Sequence, residues 1–187
     1  MKRIFFGVNI PVTDRIREFY NNTKIQLEEE KIKWVPPENL HITLLFMGDT
    51  EESYIPQIID KASIDQQYRN AFSLKINGLG VFKNYSRPRV IWMGIDPEPV
   101  LESLKFSIDK QIKELGFDVE ETDKFRPHLT IGRVKNMNDR NHLKEVVEER
   151  KNEPVDQIEI SNFYLYESTL TKKGPIYNVL HTFNLGE

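Results

Sequence analysis

Two histidines in the sequence are each followed, two positions later, by a threonine. The first pair is His41 and Thr43, and the second is His128 and Thr130. Side chains at i and i+2 of a β-strand project from the same face, so each histidine would lie beside its threonine. The chain has only four histidines, and chance would give two such pairs with a probability on the order of 1%. The repeated His-x-Thr pattern therefore indicates a functional site.

Paired histidines can perform acid–base chemistry on phosphorus. An imidazole titrates near pH 6.5, so one copy can be neutral while the other is protonated. The neutral ring would take a proton from water during in-line attack, and the protonated ring would give one to the leaving oxygen. The threonine hydroxyls could donate to the non-bridging phosphate oxygens. The sequence contains no cysteine and no histidine four positions from either motif, so we expect neither a metal nor a cofactor.

The composition describes an ordinary soluble globular protein. The 187 residues are 39% hydrophobic and 29% charged, with a formal net charge of −3. Such a balance provides no global basic field for nucleic acid, so any contact with nucleic acid must be local. No segment reads as a signal peptide or approaches the ~20 apolar residues of a membrane span. We expect one cytoplasmic, monomeric domain that does not contact a membrane.

Hydrophobic periodicity predicts an alternation of strands and helices. Four helices are predicted to begin near Thr13, Ile55, Asp96 and Asn138, and the first of them extends to about Lys33. The segment 48–50 is predicted to form a turn between the first histidine strand and the second helix. The predicted strands are Arg3–Ile10, Leu40–Met47, Phe72–Phe82, Arg89–Ile95, the segment that begins at His128, Ile158–Leu170 and Ile176–Leu185.

The order of these elements repeats. His41 and His128 lie 87 positions apart, and the strands that begin at Arg3 and Arg89 are separated by about the same interval. We infer two β-α-β-α-β units, roughly 1–87 and 88–187, from a degenerate internal duplication. The prediction is a bilobal, pseudo-two-fold α+β fold, in which sheets rich in antiparallel pairs line a central cleft and the helices lie outside.

Four segments together resemble the two-histidine (2H) phosphoesterase superfamily. Within it, the chain most resembles the RNA 2′,3′-cyclic phosphodiesterases, also called 2′-5′ RNA ligases, over essentially its whole length. Two of the segments surround the His-x-Thr motifs, and the other two lie near the chain ends. The segments are Phe5–Pro11, Leu40–Leu44, Arg126–Arg133 and Gly174–Leu180.

The resemblance implies a fold, a reaction and a role for each motif residue. It implies a bilobal α+β protein that hydrolyses 2′,3′-cyclic phosphate ends of RNA to 2′-phosphomonoesters. His41 would donate a proton to the leaving 3′ oxygen, His128 would accept one from water, and Thr43 and Thr130 would hold the phosphate. The order of acid and base stays open on the residues alone, because a sequence does not distinguish two similar histidines.

Two arginines near the second motif are candidate substrate contacts. Arg133 matches the arginine that follows the second motif in the family, although strict alternation places it on the face opposite His128. A bend at Gly132 would bring it round; the alternative is a surface ion pair. Arg126 either contacts the substrate or positions the loop before His128.

Further residues have weaker signals. Basic connectors could form a rim for the RNA backbone, although solvated loop charge is the simpler interpretation. Some aromatic residues could stack on a terminal base, although most aromatic residues at strand spacing are core. We interpret His142 and His181 as structural. The rim residues are Lys83, Arg87, Arg89, Lys172 and Lys173, and the aromatic candidates are Phe5, Trp34, Tyr85, Trp92, Phe125 and Tyr166.

Three alternative functions remain open from the sequence. The same site could act on a small cyclic nucleotide or a 2′,5′-linked oligonucleotide, or could perform weak 2′-5′ ligation. The cleft could instead belong to a non-catalytic nucleotide-binding module, although binding alone requires no acid–base pair. The last alternative is a structural interaction protein.

Overall fold

A computed structural model describes residues 1–63, 70–119, 125–172 and 174–185. These ranges contain nine β-strands, four α-helices and two short 3₁₀-helices at Pro37–Asn39 and Glu52–Tyr54. The strands and helices, in chain order, are β1 (Lys2–Asn9), α1 (Asp14–Gln26), β2 (Lys31–Trp34), β3 (His41–Thr50), α2 (Ile55–Ser63), β4 (Phe72–Phe82), β5 (Val90–Ile95), α3 (Pro99–Glu114), β6 (His128–Asn136), α4 (Arg140–Arg150), β7 (Pro154–Ile160), β8 (Asn162–Leu170) and β9 (Pro175–Asn184).

The strands form two antiparallel sheets. The four-stranded sheet has the order β3-β1-β8-β9, and the five-stranded sheet has the order β2-β6-β5-β4-β7. Helix α3 contacts β3 and α2, whereas α1 contacts β7 and α4 contacts β4. Each histidine strand lies beside the strand that begins its half of the chain, because β3 pairs with β1 and β6 pairs with β5. The predicted α+β class with two antiparallel sheets is confirmed.

The two sheets do not correspond to the two halves of the sequence. Strands β2 and β4 from the first half belong to the five-stranded sheet, and β8 and β9 from the second half complete the four-stranded sheet. The order β-α-β-α-β is present in both halves, with β2 inserted in the first. Each sheet therefore contains strands from both halves of the chain. The division into repeats of roughly 1–87 and 88–187 stays a prediction.

The predicted extension of the first helix to Lys33 is wrong. The Thr13 hydroxyl caps α1 by accepting a hydrogen bond from the Ile16 amide, as the sequence indicated, but α1 ends at Gln26. The segment Lys31–Trp34 alternates polar and apolar residues and pairs with β6 as an edge strand. This alternation has the period of a strand and not of a helix.

Three other predicted boundaries are also wrong. Residues 48–50 continue β3, where Thr50 pairs with Lys2. The third helix begins after Glu98, whose carboxylate caps it, while Asp96 accepts a hydrogen bond from Asn77 instead. The predicted strand Ile158–Leu170 is two strands in different sheets, β7 and β8, separated by Ser161. A continuous apolar pattern cannot show where the chain crosses between sheets.

Each sheet buries apolar side chains on the face that packs against helices. In β1, Ile4, Phe6 and Val8 are fully buried on one face. The helices cover such faces with residues at helical spacing, for example Leu104 and Ile108 of α3. Each buried side chain of this size stabilises the fold by roughly 1.5–3 kcal/mol. Among the described helices, none is both long and apolar enough to cross a membrane.

Candidate active site

A β-bulge follows each His-x-Thr motif. In β3, Thr43 pairs with Gly7 and Leu45 pairs with Phe6, so Leu44 is the extra residue. In β6, the pairing of Thr130 with Trp92 is followed by that of Gly132 with Ile91, so Ile131 is the extra residue. A bulge shifts the alternation of faces by one position. Both motifs therefore have the same local geometry, although they lie in different sheets.

The two histidine rings are held in the same way. His41 Nδ1 lies 2.7 Å from the carbonyl oxygen of Asn39, and His128 Nδ1 lies 2.8 Å from that of Arg126. A carbonyl oxygen only accepts, so Nδ1 carries the hydrogen and donates it in both rings. Each Nε2 is left as the atom that can accept or release a proton. In both cases the carbonyl belongs to the residue two positions before the histidine.

Aromatic rings pack around His41. The Phe5 and Tyr177 ring centroids both lie 5.0 Å from the imidazole centroid, and Tyr177 approaches edge-on. Phe5 also stacks on Tyr166 at 5.1 Å, and its side chain is only 3% exposed. Phe5 and Tyr166 therefore form a wall that orients His41. Neither ring presents a free face of the kind that the stacking hypothesis required.

His128 packs against a second aromatic group. The Phe82 ring meets the imidazole edge-on at a centroid distance of 4.6 Å, and Trp92 lies 5.2 Å from Phe82. The indole of Trp92 lies directly over Gly80, where a Cβ atom would be only 2.2 Å from the ring. A side chain at residue 80 would therefore displace Trp92. The orientation of His128 depends on this packing from Gly80 to Phe82.

The two imidazoles lie within electrostatic reach of each other and of Arg133. Burial is the main cause that lowers the pKa of each histidine below its usual value. The Arg133 guanidinium lowers the pKa of both rings further, and the charge of His128 lowers that of His41. Both histidines are half-buried. Strands β3 and β6 are in contact, so His41, His128 and Arg133 lie near one another, and the space between them is called the cleft below.

The bulge in β6 explains why Arg133 reaches this cleft. Thr130 faces the cleft, Ile131 and Gly132 both face the core, and Arg133 returns to the cleft side. The bend required at Gly132 is therefore present, as a bulge. Arg133 also lies close enough to affect Tyr177. Burial raises the pKa of the Tyr177 phenol, and the positive charge of Arg133 opposes this increase. In β3 the corresponding position, five residues after the histidine, holds Phe46 instead.

The threonines and Arg126 occupy different environments. Thr43 is exposed and Thr130 is half-buried, and within the described ranges neither hydroxyl has a hydrogen-bond partner in the protein. Each can therefore donate to a ligand. The Arg126 side chain is exposed, and its observed contact is the one that its main-chain carbonyl makes with His128. Any residue at position 126 could provide this carbonyl.

The weaker candidates from the sequence lie mostly away from the histidines. Trp34 faces α1, where its ring lies 5.8 Å from that of Tyr20. The Tyr85 hydroxyl donates to Glu148, and Phe125 packs against the core. His142 Nε2 lies 2.8 Å from the carbonyl oxygen of Gln26, and the His181 ring lies 4.6 Å from that of Phe183.

The proposed basic rim consists of exposed loop residues. Lys83, Arg87 and Arg89 are exposed around the β4–β5 connection, and Lys172 is exposed before β9. Lys173 lies outside the described residues. Val90, the first residue of β5, pairs with Arg133. The connection between β4 and β5 therefore ends beside Arg133. The rim stays a prediction.

Sequence reasoning missed several residues of the cleft. The sequence pointed to Tyr177 only as part of the segment Gly174–Leu180, and to Phe82 only as the end of the predicted strand Phe72–Phe82. Lys33 was placed in a helix, although the alternation in Lys31–Trp34 could have indicated an edge strand. The partners of these residues lie far away in the sequence, so no local pattern connected them to the histidines.

Further observations concern the pockets of the protein and the side chains that could bind a metal ion. A pocket of about 70 Å³ adjoins His41 and is lined in part by Asn9, Asn39 and Tyr177. A larger pocket, of about 630 Å³, lies beside α1, β4 and β7 and is lined by neither His41 nor His128. Within the described residues, no three or more His, Asp or Glu side chains are grouped so that they could hold a metal ion.

Known proteins resemble the chain over nearly its full length. A family model described as LigT-like phosphoesterase matches residues 7–92 and again residues 94–177. An RNA 2′,3′-cyclic phosphodiesterase from Archaeoglobus fulgidus is 37% identical over 97% of this chain and 99% of the relative. The protein of the same name from Methanocaldococcus jannaschii is 35% identical over 95% of this chain and 98% of the relative.

Solved structures show a similar fold. A crystal structure of a protein from Thermus thermophilus superimposes with a TM-score of 0.80 at 28% identity, and it covers 99% of both chains. The structure of E. coli LigT complexed with 3′-AMP has a TM-score of 0.77 at 22% identity, and it covers 100% of this chain and 99% of LigT. At that identity the second likeness concerns the fold alone.

Proposed function

The chain belongs to the LigT-like phosphoesterase family, and we propose that it is an RNA 2′,3′-cyclic phosphodiesterase that leaves a 2′-phosphomonoester. One observation carries the proposal. Two half-buried imidazoles share one cleft, and each has its Nδ1 occupied by a backbone carbonyl while its Nε2 has no partner among the described residues. This arrangement suits simultaneous removal and delivery of protons on opposite sides of a phosphorus atom. The named relatives at 35–37% identity support the same substrate.

The proposed reaction is an in-line displacement by water. His128 Nε2 accepts a proton from water as the water oxygen forms a bond to phosphorus. The bond from phosphorus to the 3′ oxygen breaks, and the Nε2–H of His41 gives its proton to that oxygen. The phosphate stays on the 2′ oxygen. The turnover leaves His41 neutral and His128 protonated, so the two rings must exchange protons with solvent before the next cycle.

The assignment of acid and base follows the family resemblance. Both histidines are predominantly neutral at pH 7 in the free protein, because burial and Arg133 lower the pKa of each. A bound phosphate adds a negative charge that favours the protonated form of a neighbouring imidazole. The substrate itself would therefore help to charge His41 for its role as the acid.

Three groups are proposed to stabilise the phosphoryl charge. The Thr43 and Thr130 hydroxyls have no partner among the described residues, and each lies on the same face as its histidine. The Arg133 guanidinium lies close enough to influence the pKa of both rings. Donors already aimed at the phosphate oxygens require no reorganisation during the reaction. Arg126 is proposed to act through its carbonyl, which holds His128.

The partner is RNA, or a related nucleotide, with a 2′,3′-cyclic phosphate end. We propose that the enzyme acts as a monomer, because its own chain supplies both histidines to one cleft. We further propose that it acts in the cytoplasm, on RNA ends formed there. No metal or cofactor takes part in the proposed steps.

Product analysis on an RNA oligonucleotide with a 2′,3′-cyclic end tests the proposal. The wild-type protein should form the 2′-phosphomonoester in the presence of chelator. His41→Ala and His128→Ala should each lose about 10²–10⁴-fold in kcat. His142→Ala is the matched control, because this exposed histidine lies on α4 and its ring contacts the Gln26 carbonyl, away from the cleft. Near wild-type turnover by either variant, or a 3′-phosphate product, would contradict the mechanism.

A further inference from the structure

A lysine that lies outside both motifs faces the same cleft. In the pairing of β2 with β6, Lys33 is directly opposite Arg133. Directly opposite residues of an antiparallel pair project from the same face, with their Cβ atoms roughly 4.5–5.5 Å apart. The bulge at Ile131 places Arg133 on the same face as His128 and Thr130, which is the cleft face. Lys33 therefore projects toward the cleft as well.

The Lys33 side chain reaches toward the end of the connection between β8 and β9. Its Nζ lies 3.9 Å from the position that a Cβ atom would occupy on Gly174, just before β9. The Asn39 side-chain amide donates to the Pro175 carbonyl at 3.2 Å, which joins the same connection to the segment that positions His41. The ammonium group thus lies where the β8–β9 connection approaches the five-stranded sheet.

Positive charge predominates around Lys33. Lys31 lies two positions before Lys33 on the same strand face, so three cations including Arg133 occupy one patch. Among the described residues, none of the three forms an ion pair with a carboxylate within 4.0 Å. Like charges directly opposite each other destabilise a strand pair. The net charge of the chain is −3, but positive charge is concentrated beside the acid–base pair. An anion bound there would relieve the repulsion between these cations.

We propose that Lys33 binds the internucleotide phosphate that precedes the terminal nucleotide, and so gives the enzyme its preference for oligonucleotide ends. The inference rests on the proposed function, which assigns the cyclic phosphate to the histidines, the threonines and Arg133. The internucleotide phosphate is then the next anionic group of the substrate. A mononucleoside 2′,3′-cyclic phosphate lacks it. Lys31 extends the same row toward the following phosphate.

Kinetics on two substrates test the role of Lys33. The first substrate is a trinucleotide with a 2′,3′-cyclic end, and the second is a mononucleoside 2′,3′-cyclic phosphate. Lys33→Gln should reduce kcat/KM on the trinucleotide by roughly five-fold, the upper range for an exposed charge pair. Its kcat/KM on the mononucleotide should not change. The slope of log(1/KM) against log salt on the trinucleotide should decrease in magnitude by about 0.7.

Two further variants distinguish charge recognition from other effects. Lys110→Gln removes an equivalent exposed charge from α3 and should behave as the wild-type protein on both substrates. Lys33→Arg keeps the charge on the edge strand and should retain most of the trinucleotide activity. An equal loss on both substrates in Lys33→Gln, or no loss on either, would overturn the proposal. Wild-type protein that hydrolyses neither substrate would instead overturn the proposed function itself.

Discussion

Gly80→Ala should disturb catalysis through packing alone, without touching a catalytic residue. A Cβ atom at position 80 would lie 2.2 and 2.3 Å from two ring atoms of Trp92. Ordinary contacts begin at 3.4 Å, so the indole must move by about 1.2 Å (3.4 − 2.2). Trp92 packs on Phe82, and Phe82 meets His128 edge-on. The displacement should therefore reach the imidazole.

The expected magnitudes follow from this overlap. Overpacking of a well-packed site costs roughly 1–3 kcal/mol. For a chain of this size, each kcal/mol lowers Tm by about 2–4 °C, which gives a total decrease of about 2–12 °C. A misplacement near 1 Å at a reacting group can cost up to about 10²-fold in rate. We expect kcat to decrease by roughly 10- to 100-fold while KM changes less, because the phosphate ligands stay in place.

Thermal unfolding and steady-state hydrolysis of a 2′,3′-cyclic substrate measure both effects. The double variant Gly80→Ala with Trp92→Leu removes the ring atoms that clash, so it should be about as stable as Trp92→Leu alone. Trp92→Leu on its own provides the matched background for this comparison. A single Gly80→Ala variant with wild-type Tm and kcat would refute the reasoning. A double variant in which the two stability losses simply add would show that the clash is not their cause.

Further predictions concern charge and hydrogen bonding at the site. Because burial and Arg133 lower the pKa of both His41 and His128, kcat/KM should peak below pH 6.5 and decline at higher pH as the acid loses its proton. Arg133→Gln removes the cation, so both limbs of the pH–rate profile should move to higher pH; unchanged limbs would contradict the assigned coupling. Thr43→Val and Thr130→Val should each lower kcat about ten- to hundred-fold through loss of a hydrogen bond to a charged group. The serine variants should retain most activity, and equal losses in serine and valine variants would exclude the hydroxyl as the cause.

The sequence alone was sufficient to propose where the chemistry lies. Each His-x-Thr pair is a local pattern, and local strand geometry places both of its side chains on one face. Most strands and all four helices also follow from local periodicity, within a few residues at most of their ends; the C-terminal end of α1, Gln26 instead of Lys33, is the exception. Leu104 and Ile108 of α3 illustrate this, because their helical spacing predicts that they share one face, and both are fully buried. The α+β class followed from the order of these elements.

Only the tertiary structure decided which strands lie side by side and which side chains meet in the cleft. Ser161 marks a crossing between sheets that apolar alternation does not show, and β2 is a strand because β6 lies beside it. The face that Arg133 occupies depends on a bulge at Ile131, and a bulge exists only relative to a paired strand. Lys33 lies beside Arg133 for the same reason, because β2 pairs with β6. Register and bulges arise from hydrogen bonds between distant segments, so their consequences for the site cannot be read from either segment alone.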